Sequence, residues 1–310
     1  MNEDINALEI GRIVRIKILK YKWDTIYRLT DVHLFKAIKQ AIKNNIDIFT
    51  FIERRYISPL EKYLYSKVKS LDIPVFTFYE RLAVLRIKSF DDWWHAIGKK
   101  TRNMVRKAIR KNATTEVVYE NTQLLKNAKA IWKLYNETPI RQNKRYIGYG
   151  MPLEKIIERF RNLELLHRSL VVLARYNERV VGFTHIIIGD HAGMVRTFLS
   201  SIYYRNIPIS NLMMAKVVEE LAKRNINFLI YGHMGIQPGI ELFKKNNGFK
   251  MHICPRYFIP ITKKGMIILK RRAPEMIFPG IMPPRRAYIA NSLMRLSKIF
   301  PHTIYRRIAS

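Results

Sequence analysis

One cysteine, Cys254, stands among 310 residues, so the chain can form no internal disulfide and has no thiolate cluster to hold a metal. Acidic residues are scarce too: 24 Asp and Glu face 56 Lys and Arg, a formal charge of +32. So one-sided a field attracts polyanions: RNA, DNA, an anionic membrane face or phosphorylated small molecules. A basic composition with no partner behind it is the other reading. Long apolar runs are missing as well. The longest, Val180 to Ile188, is interrupted by Gly182 and His185 and falls far short of the ~20 residues that span a bilayer. The N-terminus, MNEDINALEI, is acidic and lacks the basic-then-apolar order of a secretory leader. These absences lead us to expect a cytoplasmic location.

What the chain does have is core material: 48% apolar residues, with 15 Phe, 17 Tyr and 4 Trp, which excludes a disordered polymer. The length suits one large domain or two ordinary ones. Residues Ile10 to Tyr21 alternate apolar and basic side chains as a half-buried strand does. Asp31 is placed to cap a helix from Val32 to Lys43, and a strand from Asp47 to Ile52 follows. Ser58 and Pro59 open a helix through Lys69; Ile73–Phe78 and Leu82–Ile87 read as two strands about a turn. Asp91 and Asp92 offer a cap to a helix with Trp93, Trp94, Ile97, Met104, Val105, Ala108 and Ile109 at helical spacing, with Gly98 as a break. Its other face is Lys99, Lys100, Arg102, Arg106, Lys107, Arg110 and Lys111. That face has no interleaved aromatics, which predicts phosphate contact rather than base stacking, or a solvated surface.

Beyond it the spacing predicts helices over Gln123–Glu137 and Leu153–Asn162, then strands Ser169–Tyr176 and Arg179–Ile188 joined at Asn177 and Glu178 as in a hairpin. Strand Gly193–Ser200, helix Ile209–Arg224, strand Phe228–Tyr231, helix Gly239–Asn246 and strand Met251–Pro260 complete the series. The tail, Lys263 to Ser310, holds 11 basic residues and one acidic one. Within it Arg285–Ile299 suits a helix lying on an anionic interface or packed on the body. Residues 1–90, 91–115, 116–262 and 263–310 are thus expected to be an N-terminal α/β half, a basic connecting helix, a second α/β domain and a basic tail.

The order from Arg168 to Ile261 resembles the GNAT acyltransferase fold. The segments KKTRNMVRKAIRK (99–111), YYRNIPISNLMMAKVVEELAKR (203–224), FLIYGHMGIQPGIELFKKNNGF (228–249) and the PRYFIPIT that follows resemble the FemABX-like branch of that superfamily. There two related halves are joined by a basic helical segment. The resemblance implies a mixed sheet flanked by helices and transfer of an acyl or aminoacyl group to an amine, with acyl-CoA (acetyl-CoA) or aminoacyl-tRNA as donor and no metal. In GNAT proteins a Gln/Arg-x-x-Gly-x-Gly/Ala turn holds the CoA pyrophosphate at a helix N-terminus. Here that run is Arg205, Asn206, Ile207, Pro208, Ile209 and Ser210, flanked by Tyr204 and Asn211, without the glycines; Ser210 reads equally as a helix cap.

The resemblance further places an acceptor pocket at the loop Tyr135–Gly150, where Arg141, Gln142, Arg145, Tyr146 and Tyr149 offer an anion fork with aromatic walls. His185, His233 and Glu241 are candidate bases, and Tyr231 or Tyr257 candidate proton donors to the leaving group. The alternative is a catalytically silent module of the same fold that binds RNA, tRNA included, or an anionic surface.

Overall fold

The computed structural model describes residues 8–13, 16–21, 31–52, 74–141, 144–163, 165, 167–189, 191–235, 238–271 and 281–282. The expected helices at 58–69 and 285–299, and Gln142, lie outside the described residues. In chain order the first elements are β1 (Leu8–Ile13), β2 (Ile16–Tyr21), α1 (Asp31–Lys43), β3 (Ile48–Ile52), β4 (Phe76–Arg86), α2 (Phe90–Ala96), α3 (Lys99–Arg110) and β5 (Thr114–Val118). Next come α4 (Asn121–Lys126), α5 (Ala128–Asn136), β6 (Ile140–Arg141), β7 (Lys144–Arg145), α6 (Leu153–Arg161), β8 (Ser169–Tyr176), β9 (Arg179–Ile188) and β10 (Ala192–Ser200). The last are α7 (Ile209–Lys223), β11 (Phe228–His233), α8 (Pro238–Asn246), β12 (Lys250–Pro260), α9 (Lys263–Lys270) and β13 (Ile281–Met282). By contacts the chain divides into one unit of residues 1–82 with 251–310 and a second of residues 83–250.

In the first unit β1 and β2 form an antiparallel hairpin, β2 runs parallel to β3, and β3 is antiparallel to β12. The alternating run read as one strand is therefore two, which pair Leu8 with Tyr21 through Ile13 with Ile16. A shared alternation hides the reversal, and strands rarely reach the length a single one would need. Ile18, Ile48, Phe78, Phe258 and Leu269 pack a small core, so the opening segment of the basic tail, as α9, belongs to this unit's interior. Asp47 anchors that helix: its carboxylate accepts Thr262 Oγ1 at 2.9 Å, and its carbonyl accepts Ile261 N–H at 3.0 Å. A Cβ on Gly265 would stand 2.0 Å from the Asp47 carbonyl oxygen, so only glycine lets α9 approach this closely.

The two strands expected at 73–78 and 82–87 are one, β4. The polar residues that read as a turn stay extended because Glu80 is buried at 1% exposure and paired with Arg256, which also donates to Thr50 Oγ1 at 3.2 Å. An ion pair this deep holds only when both charges are hydrogen-bonded.

The second unit is a mixed sheet. β5, β8, β9 and β10 are successively antiparallel, and β10 then runs parallel to β11. The helix expected over 91–111 breaks at Gly98, where its spacing placed a break, into α2 and α3. Ser89, rather than Asp91 or Asp92, caps α2 by accepting Asp92 N–H at 3.0 Å, and α3 restarts after Gly98. The helix expected over 123–137 is likewise split at Asn127 into α4 and α5. One sheet face is covered by α5 and α6 through Ile131, Leu134, Ile156, Phe160, Val171, Leu173, Phe183 and Leu199. The opposite face takes α7, which approaches β9 so closely that a Cβ at Gly182 would meet Met213 Sδ at 2.7 Å. Burial of Leu212, Met213, Met214, Val217, Val218 and Leu221 fixes that helix; each such side chain contributes about 1.5–3 kcal/mol.

Candidate functional site

A split in the sheet of the second unit defines the site. The β10–β11 ladder pairs only Ala192, Gly193 and Met194 with Phe228, Leu229 and Ile230, yet β10 continues to Ser200 and β11 to His233. Past Met194 and Ile230 the backbones no longer bond to each other, and backbone donors and acceptors in such a gap require other partners. A bulge at Arg196 shifts the β9 register between Val195 and Thr197, just past the point where the β10–β11 ladder ends. Alternation along β10 then puts neighbouring side chains on opposite faces. On one, Phe198 packs against Tyr231 and Phe243, with centroids 5.6 and 5.8 Å apart; on the other, Thr197 Oγ1 lies 3.3 Å from the Tyr135 hydroxyl.

Aromatic rings and one buried cation furnish the split. Lys244 is 5% exposed, lies over the Tyr231 ring at 4.8 Å and donates to the His233 carbonyl at 2.7 Å. Burial pulls its ammonium down to about 8, against a smaller opposing pull from Glu241. Burial raises the Tyr231 hydroxyl above its usual range, so it stays protonated. Glu241, expected as a base, is instead ion-paired with Lys245 at 2.7 Å. Tyr257 belongs to the other unit, where it is 2% exposed and packs on Phe51. Lys244 was not anticipated: its place in LFKKN reads as the solvated last turn of a helix, and only Phe243 and Phe249 on either side hinted at a buried position.

The turn before α7 is differently built from a phosphate cradle. Pro208 has no N–H, and three neighbours use theirs locally: Ile207 donates to Tyr204 O at 3.0 Å, Ile209 to Ile207 O at 2.8 Å and Asn211 to Pro208 O at 3.1 Å. Ile207 and Ile209 are buried at 4% and 2%, so their side chains belong to the core; Arg205 and Asn206 are exposed. Tyr204 packs edge-on to Tyr176 at 5.6 Å. Ser210 is not the cap, since the helix starts from Pro208; its hydroxyl donates to Ser200 Oγ at 3.0 Å.

The loop after α5 is a brace. Arg141 donates to the carbonyls of Leu134 at 2.7 Å and Ser200 at 3.0 Å, pairs with Glu137 at 3.5 Å and lies over Tyr146 at 5.3 Å. Glu137 in turn accepts Ser201 Oγ at 2.6 Å and Ile202 N–H at 2.8 Å. Arg141 is thus engaged within the protein rather than presented as an anion fork. Tyr146 stacks on Tyr135 at 6.1 Å, and burial raises its hydroxyl; Arg145 and Tyr149 are exposed.

His185 sits on the α5–α6 side, in a pocket of about 510 Å³ lined by Tyr135, Phe160, Phe183, Arg159, Arg196 and Thr197 among others. Its Nε2 meets Ser169 Oγ at 3.1 Å. Burial, aided by Arg196, lowers its imidazolium to about 4, so the ring is neutral at pH 7. This suits a fixed hydrogen-bonding group.

The basic face of α3 is exposed at Lys99, Lys100, Arg106, Lys107, Arg110 and Lys111, while Thr101, Val105 and Ala108 are buried. Arg102 turns back to cap α2 through the carbonyls of Trp94, His95 and Ile97. An aromatic does meet this face after all: Arg106 lies over Trp94 of α2 at 5.6 Å.

Comparison with solved structures places this architecture. FemX matches over 84% of this chain and 85% of its own, with a TM-score of 0.57 and 10% identity. The fold is GNAT-like. The C-terminal domain of a proposed lysylphosphatidylglycerol synthetase from Agrobacterium fabrum matches over 84% of this chain and 83% of its own, at TM-score 0.53 and 13% identity. L-PGS from Bacillus licheniformis matches over 85% and 84%, at TM-score 0.50 and 12% identity. Matches that long extend well outside residues 83–250, so the likeness includes the first unit. No protein-family model and no curated protein sequence matches the chain. Among the described residues there is no group of His, Cys, Asp and Glu able to hold a metal ion, and no helix is long and apolar enough to cross a membrane.

Proposed function

We propose that the chain transfers an aminoacyl or acyl group from an activated donor to an amine, with the reacting carbonyl held where β10 and β11 part. The observation that carries this reading is the split: two strands run on past their last shared pair at Met194 and Ile230, and their facing N–H groups are suited to stabilising an oxyanion. The amine nitrogen attacks the carbonyl carbon, and the ester or thioester bond to the donor then breaks. The amine loses a proton, and the leaving oxygen or sulfur gains one. Lys244, with a fraction neutral at pH 8, is the base we favour, and the Tyr231 hydroxyl is the proton source.

Aminoacyl-tRNA is the donor we favour over acyl-CoA. The turn before α7 keeps few free N–H groups for a pyrophosphate, while +32 and the exposed cations of α3 suit an RNA backbone. Those same two observations also favour a silent RNA-binding module, the second reading.

A labelled aminoacyl-tRNA incubated with a panel of amines tests the choice. Transfer predicts label moving from RNA into an amide. Lys244→Met should cut the rate at pH 7–8 by roughly a hundredfold and remove its rise through pH 8. Salt-sensitive binding of tRNA with no amide formed would leave the second reading standing.

A further inference from the structure

The pocket on the α5–α6 face is chemically unlike the rest of this basic surface. Its floor is the Tyr135 hydroxyl, Thr197, His185 and the rings of Phe160 and Phe183; its rim holds Lys155, Arg159 and Arg196, with Glu158 as the acid among its lining residues. Several other cations of this unit are engaged, Arg102 and Arg141 on backbone carbonyls, Arg175 on Glu116, and Lys216 and Lys223 on Glu219 and Glu220, and the other cations of α3 stand on an exposed helix face rather than at a concavity. Arg159 and Arg196 form no ion pair or hydrogen bond among the described residues. They come from different elements, α6 and the β10 bulge, and both act electrostatically on the hydroxyl of Tyr135. Two unengaged guanidiniums converging over two hydroxyls and a neutral imidazole are a receptor for a compact, multiply charged oxyanion.

We infer that this pocket binds the phosphate group of the acceptor, a phosphorylated amine, with Arg159 and Arg196 clamping the phosphate oxygens and Tyr135 and Thr197 donating from the floor. This rests on the transferase reading for the word acceptor but not for the binding itself. Phosphate is favoured over carboxylate because Lys155, Arg159 and Arg196 together oppose a single Glu158, and a dianion matches that excess better. Thr197 lines the pocket and Phe198 the split, on opposite faces of β10, so an amine carried by a bound phosphate would reach the carbonyl through the gap beside the end of β10. Free phosphorylated amines and phospholipid headgroups share this chemistry.

The test is equilibrium binding of phosphoethanolamine by calorimetry and of phosphatidylethanolamine vesicles by co-sedimentation, on the full chain. Wild type should bind one or both, and the arm that responds names the source. R159Q with R196Q should weaken binding at least tenfold with an unchanged unfolding midpoint, and each single change should cause part of the loss. A control, K39A with K43A on the exposed side of α1, removes as much charge outside the pocket and should leave affinity within twofold. No binding in either arm, or a control that loses as much as the pocket variant, would overturn the inference. If binding behaves as expected and no amide ever forms, the transferase reading fails and the phosphate site stands.

Discussion

The turn before α7 and the pocket beside α6 differ in how their polar groups are used. In the turn, Ile207, Ile209 and Asn211 donate locally, Ser210 bonds Ser200, and Glu137 with Arg141 ties the neighbouring backbone down. In the pocket, Arg159 and Arg196 reach toward one space with no partner among the described residues. Polar groups satisfied internally stabilise the fold; polar groups left over at a concave surface are available to a ligand. Changes at the first region should therefore register in stability, and changes at the second in binding.

The largest stability loss is expected from Glu137→Ala. It strips two hydrogen-bond donors of their acceptor and leaves Arg141, 15% exposed, without its carboxylate; about 3 kcal/mol should be lost in urea unfolding. A loss under about 1 kcal/mol would mean the brace is dispensable.

Acid should reveal His185 on the pocket side. Because its native imidazolium titrates near 4 against an ordinary 6.5, the unfolded chain takes up the proton first as pH falls. Stability should be unaffected above about pH 7, decline from about 6.5 to 4, and level off below, by up to about 3 kcal/mol. His185→Gln should flatten that limb in unfolding measured against pH; an unchanged limb would assign it to other groups.

Smaller still is the effect expected from Arg196→Ala, a change within about 0.5 kcal/mol in unfolding although phosphate binding falls. Smallest of all, Arg205→Ala in the exposed part of the turn should leave both stability and phosphoethanolamine binding within measurement error. A binding loss at Arg205 as large as at Arg196 would erase the distinction between the two regions.

Much of the second unit was legible from residue order alone, because hairpins such as β8–β9 and amphipathic helices such as α7 carry their periodicity locally. The strand β5, TTEVV, escaped notice because Thr and Glu give it no apolar alternation; it exists through pairing with β8, Thr114 opposite Arg175 to Val118 opposite Val171. β4 read as two strands because Glu80 finds its partner, Arg256, 176 residues away. The pocket cations were invisible for a similar reason. Arg159 looks like one more solvated residue on α6, and Arg196 gains its position from a bulge that spacing cannot announce. Trp94 meets the basic face of α3 only because α2 folds back beside it. What sequence missed was contact between distant segments.

The most direct test of the central claim is to measure product formation from aminoacyl-tRNA and from acetyl-CoA side by side, with one phosphorylated amine as acceptor. The account predicts amide from the aminoacyl-tRNA, little from acetyl-CoA, and loss of product when Arg159 and Arg196 are both replaced by Gln. Amide formed from acetyl-CoA alone, or equally well without those arginines, would contradict it.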